Sequence, residues 1–293
     1  MDEPLTATSA TTESRRLASA SPTFLRSTLR IFDLSLGEML WSRRSVFLAL
    51  LVGGPVALAV ITRVIWMVVP ASSLRINGDS VSGAGIFGLM IWLLYVRFIV
   101  PILGVFYGTA LIADEVDDKT ITYLFTRPIP RGSVLVGKYL AYLACTVLLI
   151  LPSVVLVYFL MVPLGGGSIA NLFPSLLEDL GMLAIGLAAY GAVFAWVGAR
   201  VKRPLVTGLV FVLGWEPAVL LVPGYLRRAT VAYYLQALVP HAMPQDSAIS
   251  VLLQGFTDVP TIAASLATLT VMTLAWLWLA ARTVESREYV LEQ

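Results

Sequence analysis

The chain has 293 residues, of which 58% are hydrophobic and only 13% charged, with a mean hydropathy of +0.85. A soluble domain carries about 25% charged residues, so this composition cannot cover a water-facing surface and belongs to an integral membrane protein. A net charge of +2 gives no case for a nucleic-acid partner, and one cysteine and one histidine exclude a disulfide framework, a multi-cysteine metal site and the His-pair zinc motifs.

In chain order, residues 1–22 are rich in Ser, Thr and Ala without apolar periodicity and read as a disordered cytoplasmic tail. The remainder, 23–293, reads as one transmembrane domain. Over 24–44, Leu25, Leu29, Phe32, Leu36 and Met39 recur at helical spacing, with Arg26, Arg30, Asp33 and Gly37 opposite. That pattern predicts an amphipathic helix lying in the inner membrane interface, in contact with lipid. Six apolar runs are long enough to cross about 30 Å of hydrocarbon: approximately 46–69, 86–112, 134–162, 175–198, 204–223 and 259–281. Cys145 falls inside the third of these and reads as a small core residue.

Orientation follows from Lys and Arg. With both termini in the cytoplasm, fifteen basic residues fall inside and three outside, while Arg63 and Arg97 lie within spans. The connection at about 224–258 carries helical spacing in Val231, Tyr234, Leu235 and Leu238, and again in Ile249, Leu252, Leu253 and Phe256. Each piece is too short to span, which predicts a hydrophobic helical hairpin dipping into the outer interface. His241, at its tip, has no other His or Cys nearby to complete a ligand set. The expected class is therefore all-α and polytopic: six spans, one interfacial helix and one outer hairpin.

Residues 132–139 nearly match a phosphate-binding loop but place Tyr139 where Mg²⁺ coordination needs Ser or Thr, and open an apolar run rather than follow a strand. Nucleotide binding by this chain is rejected on those grounds. The more informative stretch precedes it. Acidic residues from Asp114 to Asp118 are followed by Lys119, Thr120, Tyr123, Leu124, Phe125 and Arg127, and Pro128 and Pro130 end the pattern. This polarity suits a short helix over 118–127, with anions at its start and a cation at its end. Its Tyr, Leu and Phe are apolar groups suited to a docking partner.

This stretch resembles the permease subunits of bacterial ATP-binding-cassette exporters of the second exporter type. Their pattern is a Glu, then Gly-Thr, a Leu-rich helix, Pro-x-x-Arg and a Gly-Lys opening the next span. Glu115, Thr120, Leu124, Pro128, Arg131, Gly137 and Lys138 match it, while Lys119 stands where Gly is usual. The resemblance implies a transmembrane permease that moves substrate out of the cytosol or inner leaflet of the bacterial plasma membrane. It implies two permease chains, alike or related, above separate ATPase subunits that bind ATP and Mg. On that reading this chain needs no cofactor and catalyses nothing itself. The rival of another class is a secondary transporter or channel working without ATP.

Three charges lie inside predicted spans. Arg97 falls roughly 16 Å below the outer edge of the second span and Glu216 roughly 18 Å above the inner edge of the fifth, so in a core of about 30 Å they are matched in depth. Arg63 lies near the outer end of the first span, where it can snorkel. An intramembrane ionisable residue is a functional candidate by default, and a helix-to-helix ion pair without a part in transport is the alternative for the pair.

Overall fold

A computed structural model describes residues 24–68, 75–76, 79–80, 82–117, 131–221, 225–239 and 260–286. Helix α1, Phe24–Leu40, turns at residues 41–42 into α2, Arg43–Val68. Arg43 and Arg44 thus belong to the first turn of α2 and not to α1. A two-residue antiparallel ladder follows, pairing Arg75 with Ser80 and Ile76 with Asp79, a small addition to an otherwise helical protein. Helix α3 runs over 83–117, capped by Ser82, whose Oγ accepts the Gly85 amide at 3.1 Å. Helices α4, Arg131–Met161, and α5, Ile169–Arg200, are joined by a short 3₁₀ turn in which Gly165 and Gly166 take φ of 73° and 85°, a left-handed conformation that side chains resist. Helix α6 covers 204–221, a 3₁₀ turn Tyr225–Ala229 leads to the short α7, Val231–Gln236, and α8 spans Ile262–Ser286.

Five of these helices, α2, α3, α4, α5 and α8, are long and apolar enough to cross a membrane. The fifth expected span is occupied by α6, whose described part, 204–221, is roughly 27 Å long at 1.5 Å per residue. The second expected span is longer than its hydropathy suggested. Its helix continues to Asp117, so Asp114, Glu115 and Asp117 form the last turn of α3 instead of opening the next segment. Acidic residues at a helix C-terminus oppose the macrodipole by only about 0.3–1 kcal/mol, less than the cost of drawing charges into hydrocarbon. Of the outer hairpin, α7 is present where expected, and 249–256 lies outside the described residues, as do 1–22.

Helix α5 is the centre of the bundle, packing against α3, α4, α6, α7 and α8. Small residues make this possible, as in membrane bundles generally. A Cβ on Gly104 would lie 2.7 Å from the Tyr190 Cβ, one on Gly108 2.9 Å from the Phe194 Cβ, and one on Gly198 against the Thr109 carbonyl. Tyrosines then bond the helices together. Tyr142 and Tyr139 on α4 donate to the Leu187 and Ala188 carbonyls of α5 at 2.7 and 2.8 Å. Tyr95 of α3 shares a hydrogen bond with Ser153 of α4, whose hydroxyl donates to the Val52 carbonyl of α2 at 2.9 Å.

Helix α1 lies on α4. Its buried face is Ser27, Thr28 and Ser35, while Leu25 and Leu29 stay exposed. Further along the apolar stripe, Leu36 and Met39 are half-buried against the core. At the α1–α2 turn the Ser45 hydroxyl bonds the Met39 carbonyl and lies 2.8 Å from the Tyr107 hydroxyl of α3, tying the elbow to the bundle.

Candidate functional site

The helix ladder is irregular where the intramembrane charges sit. In α3, Ile91–Ile99 and Gly104–Gly108 are π-helical, and in α6 so is Phe211–Trp215. Arg97 lies on the first of these and Glu216 directly follows the last. Each of these two wide turns ends two residues before a proline, Pro101 and Pro217. Proline lacks the amide that would continue the ladder, and a local π adjustment is one way a span re-satisfies the freed carbonyls. Proline alone does not dictate it, since Pro55 and Pro152 lie in ordinary α-helical turns. Such turns recur at functional sites.

Glu216 is only 3% exposed. Its Oε1 accepts two hydrogen bonds, from the Tyr190 hydroxyl of α5 at 2.7 Å and from the Ala232 amide of α7 at 3.0 Å. A buried acceptor left without such bonds costs about 1–3 kcal/mol. The Ala232 amide is one of the donors that the start of a helix leaves without an internal partner. Thr230, at the cap position of α7, turns its hydroxyl back to the Arg227 carbonyl instead, at 2.7 Å. Glu216 therefore supplies the cap that the local sequence does not.

Arg97 shares a cavity with Glu216, lined also by Trp92, Tyr190, Val212 and Gln236, with a volume near 10 Å³. That is about the room of one water molecule. The half-buried guanidinium is close enough to act electrostatically on both Glu216 and Tyr190. Depth matching along the sequence thus located a pair that the fold brings to one cavity. It did not locate Tyr190, Gln236 or the Ala232 amide, because nothing in the spacing of α5 or α7 marks a residue that will face α6.

Arg63 donates from its guanidinium to the Leu160 carbonyl at 3.1 Å. Leu160 is in the last turn of α4, where carbonyls lack helical partners and a cation complements the dipole. A further buried carboxylate, Asp179 on α5, was passed over in the sequence. The expected span began at 175, placing Asp179 at its edge. The helix starts at Ile169, which sets Asp179 roughly 15 Å along it.

At the other end of the bundle, Gly137 and Lys138 are both buried in α4. A Cβ on Gly137 would lie 2.8 Å from the Thr28 carbonyl and 3.0 Å from the Ile31 Cβ, so this glycine is what lets α1 lie on α4. Glu115 is in the last turn of α3 and Arg131 is the first residue of α4. Asp118, Lys119, Thr120, Tyr123, Leu124, Phe125, Arg127 and Pro128 lie outside the described residues, as does His241. Among the described residues no cluster of three His, Cys, Asp or Glu could hold a metal ion.

The family described as ABC-2 family transporter protein matches residues 6–285. No curated protein matches the chain significantly. With a match across nearly its whole length and five membrane-length helices around a glycine- and tyrosine-packed centre, this chain belongs to the ABC-2 family of transporter proteins and is a permease-type membrane component of an ATP-binding-cassette transporter.

Proposed function

We propose that the chain is the transmembrane subunit of an ATP-driven exporter in the bacterial plasma membrane. The family match over 6–285 is the observation that carries this reading. A separate ATPase subunit binds ATP and Mg and drives the cycle, and two permease chains, identical or related, form the pathway. Both termini face the cytoplasm, in keeping with the fifteen-to-three distribution of basic residues. Helix α6 completes the sixth crossing. It packs on α3 and α5.

Coupling runs through 118–127, whose Tyr123, Leu124 and Phe125 dock into a groove of the ATPase subunit. Burying one such side chain contributes roughly 1.5–3 kcal/mol, and a carboxylate placed there would be costlier still. Leu124→Asp should abolish ATPase recovery in a pull-down while leaving the thermal stability of the permease unchanged. Equal recovery and equal stimulated ATP hydrolysis would show this segment to be a plain connector. Topology is tested by cysteines at 78, 166 and 245, which should react with an impermeant reagent in sealed cells, whereas one at 120 should not. Reaction at 120 would overturn the orientation.

A further inference from the structure

We propose that Glu216 is a latch that holds α7 on the bundle and that its release opens the outer side of the pathway, an inference that rests on the exporter reading above. Four elements meet at this carboxylate. It belongs to α6, receives the hydroxyl of Tyr190 from α5 and the amide of Ala232 from α7, and shares its cavity with Arg97 of α3. Both protein hydrogen bonds converge on Oε1. The contact to α7 is made to its backbone, and the six-residue helix is otherwise seated by packing on α3, α5 and α8 and by a side-chain hydrogen bond between Tyr234 and Thr268 of α8. Removing one acceptor therefore frees the start of α7 while leaving the tyrosine bonds between α4 and α5 intact. The wide turns that carry Arg97 and precede Glu216 give both residues a backbone that need not break regular α-helical bonds to shift.

Amide hydrogen exchange of the full-length chain in lipid nanodiscs tests the latch. In Glu216→Ala, exchange over 231–236 should rise at least tenfold while α4 and α5 keep their protection. Glu216→Gln, which keeps a carbonyl to accept from Ala232, should give a smaller rise. Unchanged exchange over 231–236 in Glu216→Ala would overturn the proposal. Should that variant lose protection throughout, Tyr190→Phe decides: a rise confined to 231–236 supports the latch, and no local rise sinks it. The gating role is read with the ATPase subunit trapped on ATP and Mg. Exchange over 231–236 should then increase in the wild type and rise no further in Glu216→Ala, whose latch is already open. A wild-type segment that does not respond, in a complex whose ATPase the permease stimulates, refutes the gate and leaves the exporter reading standing. A chain that stimulates no ATPase refutes that reading, while the exchange at 231–236 still reports on the latch.

Discussion

Helices α5 and α8 are both apolar enough to span a membrane, yet 61% of the most apolar stretch of α5 is buried within the protein and only 11% of that of α8. The difference lies in residues that hydropathy barely weighs. Helix α5 contains Gly181, Gly186, Gly191 and Gly198, and its Tyr190 bonds Glu216; α8 contains neither glycine nor tyrosine. Its Val271, Leu274 and Trp278 face outward. Lipid tails are as apolar as leucine, so greasy side chains gain little by choosing protein over lipid. Close backbone approach and interhelical hydrogen bonds make that choice, and these need small residues and hydroxyls.

The sharpest way to break this comparison is to fill a close approach. Gly198→Leu would drive a side chain into the Thr109 backbone, which cannot give way. Overpacking typically costs 1–3 kcal/mol, and against a fixed carbonyl we expect little folded permease on gel filtration. Gly54→Leu on α2, where nothing lies within 4 Å of the added Cβ, should leave recovery near wild type. Equal losses at the two sites would mean that glycine serves something other than packing.

Next in size is the charged centre. Arg97→Met or Glu216→Met alone leaves the other polar group facing an apolar side chain across the shared cavity, and a buried polar group left unsatisfied costs about 1–3 kcal/mol, more when charged. Because Arg97 is half-buried, its loss should fall toward the lower end. The double variant should lose less than the sum of the single ones in thermal unfolding, since the uncompensated charge is gone. Simple additivity would show that the two residues do not act as a pair.

Tyr142→Phe removes one bond to the Leu187 carbonyl and keeps the ring. Hydrogen bonds between membrane helices average about 0.6 kcal/mol, so a shift of that order is expected in a denaturation curve. Smallest of all, Leu274→Ala on the outward face of α8 should change stability by less than about 0.5 kcal/mol. A larger loss, together with a change in oligomeric state by native mass spectrometry, would place the second permease chain on that face.

The sequence by itself determined the solvent. Hydropathy, the scarcity of charge and the distribution of Lys and Arg depend on composition summed over windows, and they located α2, α3, α4, α5 and α8 to within a few residues. They also singled out Arg97 and Glu216, because a charge in hydrocarbon is conspicuous wherever its helix packs. The ends of helices were less legible: α3 runs on to Asp117 and α5 begins at Ile169, since a helix may continue past the apolar core into the interface. Only the tertiary structure decided which residues meet. The partners of Glu216 come from α5, 26 residues earlier, and from α7, 16 residues later, and no local periodicity relates them. The Ser and Thr face by which α1 meets the bundle, and the Leu160 carbonyl that Arg63 finds, were decided in the same way. In a membrane the apolar stripe has lipid to cover it, so the face a helix turns to its neighbours is set by fit and hydrogen bonding, which only the assembled bundle displays.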